Sequence, residues 1–164
     1  MAVEVRQGLG LGFFKILLFF LLSSTLFAEK VEIVSESMRA ENLKKEVHFL
    51  GQAYIKKLDD WLRADEIVVY FDENNQTKQY DAIGTVTFEF KNAKRHYVGN
   101  ADSVSYYPAK SEYVLKGKAA VNDLVNNRHV NGDVIKLDMR TGNAEVQGSK
   151  QKPVKFIFDV GKTE

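Results

Sequence analysis

The side chains of this chain that could do chemistry are three histidines and a set of regularly spaced carboxylates. His96 and His129 stand 33 residues apart in matching contexts, Arg95-His96-Tyr97-Val98 and Arg128-His129-Val130-Asn131. Equivalent places in a repeat would stack the two imidazoles on adjacent rungs, and imidazole nitrogen is a common zinc ligand. Two nitrogens are too few for a closed zinc site, and neither a cysteine nor a Glu-x-x-His accompanies them. A repeat explains the spacing without a metal. His48 occupies a different repeat position. Glu41, Asp65, Asp102 and Asp133 recur once per repeat, in Ala40-Glu41, Ala64-Asp65, Ala101-Asp102 and Gly132-Asp133. Such regularity fits turn caps better than a general acid–base pair. Gly-x-Ser-x-Gly, the P-loop and His-Glu-x-x-His are absent from the sequence. The expectation is a protein that is not an enzyme, with no metal and no cofactor.

The elements that carry these residues keep time with four glycines. Gly51, Gly84, Gly117 and Gly148 are separated by 33, 33 and 31 residues. A fixed period of this size signals a repeat architecture, a stack of units with open ends. Between the glycines the pattern alternates with period two, as in half-buried strands. Over 80–91, Tyr80, Ala82, Gly84, Val86, Phe88 and Phe90 share one face, opposite Asp81, Ile83, Thr85, Thr87, Glu89 and Lys91. The stretches 111–122 and 47–57 repeat the pattern. In these three the glycine lies on the apolar face. There it either bends a long strand or ends a short one, and alternation continuing past it favours the bend. The expectation is about 14–16 strands of ~8–10 residues, seven or eight to a sheet, in a stack about 35–40 Å long. Polar turns fall at 72–77, 107–110 and 140–143. No linker or domain boundary interrupts the series.

Residues 1–28 stand apart. Arg6 precedes a short apolar run, 13–22, which contains Lys15 and exits through small residues to Ala28. This reads as a secretory signal peptide, with one domain over 29–164. A retained membrane anchor is the rival reading, but the run is shorter than the ~20 residues a spanning helix needs. Residues 1–28 contain Arg6, Lys15 and Glu4, so the remainder carries 21 basic and 21 acidic side chains. That balance argues against nucleic acid as a partner. The chain has no cysteine, so an exported form must rely on packing and strand pairing.

Four segments share a short signature: Met38-Arg39-Ala40-Glu41, Leu62-Arg63-Ala64-Asp65-Glu66-Ile67, Gly99-Asn100-Ala101-Asp102-Ser103-Val104 and Val130-Asn131-Gly132-Asp133-Val134-Ile135. With Leu50-Gly51-Gln52-Ala53 and Ile83-Gly84-Thr85-Val86, over about 31–158, they resemble the LptA/OstA-like family of periplasmic lipopolysaccharide-transport proteins. The resemblance implies an all-β jellyroll of two facing antiparallel sheets, open along one side and at both ends. It implies an apolar interior that holds the acyl chains of lipopolysaccharide, and copies docked end to end from inner to outer membrane. The implied partners are lipopolysaccharide, an LptC-like inner-membrane component, an LptD-like outer-membrane component and further copies of the chain. The inward candidates are Phe49, Ala53, Ile55, Ile67, Val69, Phe71, Val86, Phe88, Phe90, Tyr113, Leu115, Val121, Ile135, Leu137, Met139, Phe156 and Phe158. Periodicity alone favours a dry sandwich core, and the resemblance reverses that reading. Basic side chains at the groove mouth would meet the lipid phosphates. The expected docking edges are the terminal segments bearing Val31 and Ile33 and bearing Phe156 and Phe158, where unpaired backbone groups recruit a strand. Pro153 suits an edge. The alternatives are an LptC-like, membrane-anchored sibling and a lipid-free adaptor β-domain.

Overall fold

A computed structural model describes residues 30–161; the expected signal peptide, 1–28, lies outside the described residues. Its ten strands are β1 (Val31–Val34), β2 (Ser37–Glu41), β3 (Glu46–Lys57), β4 (Asp60–Phe71), β5 (Thr77–Asn92), β6 (Arg95–Tyr107), β7 (Glu112–Asp123), β8 (Arg128–Asp138), β9 (Ala144–Gln147) and β10 (Lys155–Phe158). Every pairing is antiparallel. The order is β1-β3-β4-β5-β6-β7-β8-β10, with β2 also on β3 and β9 also on β8.

The short strands are broken rungs. β1 pairs with the second half of β3 and β2 with its first half, so they form one rung interrupted at Ser35-Glu36. β9 and β10 flank β8 in the same way, interrupted by 148–154. The stack therefore has eight rungs, ~34 Å from end to end at 4.8 Å per step. The expected 14–16 short strands are instead six long ones and four short ones. The difference has one cause: each long strand continues through its bend and serves both layers. The two facing layers are the halves of a single folded sheet.

The fold line is visible in the register. Pairing slips between Leu50 and Ala53, Arg63 and Glu66, Ile83 and Val86, Asn100 and Ser103, and Lys116 and Ala119. These bulges line up across the sheet as a seam. At three of them the backbone turns left-handed for two residues: Gly51-Gln52 (φ 81°, 44°), Gly84-Thr85 (83°, 46°) and Gly117-Lys118 (78°, 47°). Glycine takes the first place at no steric cost; a β-branched Thr85 in the second is strained and is held by the pairing on either side. A Cβ added to Gly51, Gly84 or Gly117 would collide with the carboxylates of Glu36, Asp65 and Asp102 respectively. Asp65 and Asp102 are thus seam residues lying against glycine, not turn caps. The Ala of each Ala-Asp dipeptide is buried beside them, as Ala64 and Ala101 are. Small side chains there let the two layers close on each other.

Two of the recurring residues stand apart from this seam. Glu41 is not the seam acid of the first rung. Glu36 holds that place, and Glu41 pairs with Lys44 (2.6 Å) and Arg39 (3.2 Å) at the end of β2. Gly148 does not bend a strand. It lies beyond β9, against the backbone of 152–154, where the last rung is interrupted.

Candidate functional site

The inward faces of the two layers form one apolar interior. In the first layer, cross-strand pairs run Phe49–Ile67–Ala82–Val104–Leu115–Ile135–Val146. A parallel row runs Val47–Val69–Tyr80–Tyr106–Tyr113–Leu137. In the second layer the row is Ile33–Ile55–Leu62–Phe88–Gly99–Val121–Val130–Phe156. A methyl group on Gly99 would strike the Phe88 ring and the Ala120 carbonyl, so this glycine lets the ring lie across its strand.

Most of the expected inward residues meet there. Ala53, Ile67, Val69, Val86, Phe88, Phe90, Leu115, Val121, Ile135 and Leu137 are buried in one cluster, and Phe49, Ile55, Phe71, Tyr113 and Met139 pack against it. Phe156 and Phe158 do not join it. They stack on each other (5.3 Å between centroids) on β10, 53% and 55% exposed. At the other end Ile33 packs against the cluster, whereas Val31 is 37% exposed. Sequence reasoning left Leu62, Val104, Tyr97 and Tyr106 out of the site. The signal for Val104 and Tyr106 was their shared parity on one strand.

An aromatic series crosses the interior. Phe88 stacks on Phe90 (4.5 Å), Phe90 meets Tyr113 (4.4 Å), Tyr113 stacks on Tyr106 (4.4 Å) and Tyr106 on Tyr80 (6.1 Å). Phe90 belongs to the second layer and Tyr113 to the first, so their contact joins the layers. Burial pushes the Tyr113 hydroxyl well above the usual phenol range, with smaller contributions from Tyr106, Asp60 and Tyr80. It stays neutral at any physiological pH. Beside this pair lies a cavity of about 190 Å³, lined by Val31, Ile55, Lys57, Asp60, Trp61, Leu62, Ile67, Thr77, Tyr80, Ala82, Phe90, Val104, Tyr106, Pro108 and Tyr113. It sits between β1 and β7. Further along, Leu115 and Ile135 are fully buried and fill the space.

The layers also meet at their free lips, opposite the seam. Arg95 begins β6 in the second layer. Its Nη1 donates to the carbonyl of Met139 and its Nη2 to that of Arg140 (3.4 Å), just past the end of β8 in the first layer.

The histidines are spread over the outer faces. His96 on β6 and His129 on β8 are separated by β7, so the expected stacking on adjacent rungs does not occur. His96 Nε2 lies 2.7 Å from Glu89, His129 Nδ1 2.5 Å from Asn122, and His48 Nδ1 2.8 Å from Glu66. Glu89 also accepts from Trp61 Nε1 (2.9 Å). The Trp61 and His96 hydrogen bonds hold its carboxyl below the usual range, and this brace ties β4, β5 and β6 together. Among the described residues no three His, Cys, Asp or Glu side chains are grouped to hold a metal ion.

The sequence model of the family described as "LptA/(LptD N-terminal domain) LPS transport protein" matches residues 32–143. No curated protein matches the chain. Among solved structures the chain is similar to LptH of Pseudomonas aeruginosa, described as the LptA homologous periplasmic component of the conserved lipopolysaccharide transport device. The identity is 13%, the TM-score 0.71, and the match covers 80% of this chain and 96% of that one. At this identity the likeness establishes the fold, a jellyroll.

Proposed function

The chain belongs to the LptA/LptD N-terminal domain family of LPS transport proteins, and we propose that it is a non-enzymatic periplasmic bridge segment. In this reading it takes the acyl chains of lipopolysaccharide into the interior between its two layers and passes them from inner to outer membrane. The observation that carries the reading is the continuous apolar interior, with a cavity of about 190 Å³ lined mainly by apolar and aromatic side chains. Each acyl methylene exposed to water costs ~0.8 kcal/mol. A lipid with several long chains therefore needs a shielded track, and the interior would supply one without any covalent step.

The ends of the stack support the rest of the proposal. Among the described residues, β1 and β2 at one end and β9 and β10 at the other have one side unpaired. Phe156 continues the inner row of the second layer to the last rung. A further copy, or a related domain of an LptC-like or LptD-like partner, would extend both the hydrogen bonding and the apolar track.

One observation favours a different reading. The cavity, about 190 Å³, is small beside several long acyl chains. A lipid-free adaptor with a dry core would look the same. Native mass spectrometry of the protein purified from its own cells separates the two. Retained lipid A mass is the expected result, and a wholly lipid-free protein that also refuses added lipopolysaccharide would favour the adaptor. N-terminal sequencing of the exported protein bears on the LptC-like alternative: a start near Glu29 is expected, and retention of 1–28 would favour the anchored form.

A further inference from the structure

Arg95 is an unusual cation. Its guanidinium reaches from the second layer to the first and ends on two main-chain carbonyls, Met139 and Arg140. Among the described residues it forms no ion pair. Every other contact between the layers described above is apolar or aromatic. The hairpin that carries it, 91–95, adds Lys91 and Lys94 and no acidic residue. This lip is therefore rich in basic side chains, and the guanidinium itself rests on two neutral acceptors.

The interior behind it is too small for its proposed load. For several acyl chains to enter, the lips must part and Phe90 must leave Tyr113. Two carbonyls hold a guanidinium less firmly than a phosphate does, because a phosphate adds the attraction of opposite charges and binds both arms of the fork in parallel. A phosphate arriving at the mouth would compete directly for the groups that keep the lips together.

We propose that Arg95 is the residue that reads the phosphate of the incoming lipid, and that its transfer from the Met139 and Arg140 carbonyls to that phosphate releases the lips. The inference rests on the transport reading above and assigns the basic residue that the sequence left open. The guanidinium does two things in turn. Without ligand it keeps the layers together over β7 and β8, where the interior is full. With a phosphorylated lipid it lets the layers separate, so that the cavity beneath β3–β6 becomes continuous with the space beneath β7 and β8. Acyl chains enter as the phosphate is bound, and burial of the chains repays the lost contact between the layers. A free phosphate brings no chains and leaves the lips closed.

The chain has no cysteine, so nitroxide labels at Lys94→Cys and Thr141→Cys report the lip spacing alone, by pulsed electron spin resonance on the full exported chain. Three probes are compared: lipid A with its phosphates, the same lipid dephosphorylated, and inorganic phosphate. Phosphorylated lipid A is expected to lengthen the spacing, and the other two to leave most of the population closed. Arg95→Met should raise the open population of the ligand-free protein about tenfold, the loss expected from hydrogen bonds to a charged group. It should also erase the preference for phosphorylated lipid. Arg95→Lys keeps the charge without the fork and should fall between the two, which guards against a variant that merely misfolds. Opening by inorganic phosphate alone would overturn the assignment to a lipid-borne group. Unchanged spacing and unchanged lipid preference in both variants, with lipid A still retained by native mass spectrometry, would overturn the latch and leave the transport reading standing. Failure of every form to retain lipid A would overturn both.

Discussion

The stack is built from one repeated rung, yet its two ends are filled differently. Beneath β3–β6 the layers enclose a cavity walled by tyrosines, Trp61 and small residues such as Ala82. Beneath β7 and β8, Leu115 and Ile135 are completely buried and Arg95 draws the lips together. The seam is the same on both sides: Gly84 on Asp65 and Gly117 on Asp102 have matching left-handed backbones. What the repeat conserves is therefore the bend. Which end is hollow is decided by the side chains between bends.

The largest expected effect tests the filled end. Leu115→Ala removes a fully buried side chain from close packing and should cost roughly 2–5 kcal/mol in urea unfolding. Ile55→Ala, half-buried on the hollow side, should cost about 1 kcal/mol. Equal losses would mean that the two ends are packed alike. The seam should behave in the opposite way. Gly84→Ala and Gly117→Ala each place a Cβ against a carboxylate at positive φ and should each cost about 1–3 kcal/mol. A large difference between them would show that the bend also differs from end to end.

Much of this was legible in the sequence, and for physical reasons. Period-two alternation fixed which residues of β3, β5 and β7 face inward, because a strand that buries one face must alternate. The glycines pointed to bends because alternation continues through them. The Ala-Asp dipeptides were visible as a repeat, but their role was not. A carboxylate lying over a glycine on the neighbouring strand is a contact across 15 or 19 residues of sequence, and nothing local to Asp65 announces it. The strand count missed for the same reason, since a bulge in register looks in sequence like a strand end. Glu36 was overlooked because Glu41, five residues on, has the better local motif. Nor did the sequence separate hollow from filled. Tyr113 and Leu115 sit on the same face of the same strand, and only the facing layer decides which of them borders a cavity.

Smaller effects sharpen the hollow end. Ala82→Leu should fill the cavity and gain about 0.5–2 kcal/mol in stability, while lowering the amount of lipid A retained in native mass spectra. A gain in stability with undiminished lipid would place the bound chains elsewhere. The outer brace of the same end is sensitive to acid. The Glu89 carboxyl is held below its ordinary value of 4.5 by Trp61 and His96. Its contribution is therefore present above the unfolded-state value and is lost as pH falls through the lower folded value. Fluorescence of Trp61, the only tryptophan, should change below about pH 4.5, and Glu89→Gln should remove that step. A step that persists in the variant would assign the acid sensitivity to another group.

Photo-crosslinking in living cells tests most directly whether the interior carries lipid. A crosslinking amino acid is placed in turn at Phe88 and Leu115, which point inward, and at Glu89 and Lys116, their outward neighbours. Capture of lipopolysaccharide from Phe88 and Leu115 and not from the other two is the result expected here. Capture only from Glu89 and Lys116 would contradict it, and the folded sheet would then be a dry core with lipid on its outside.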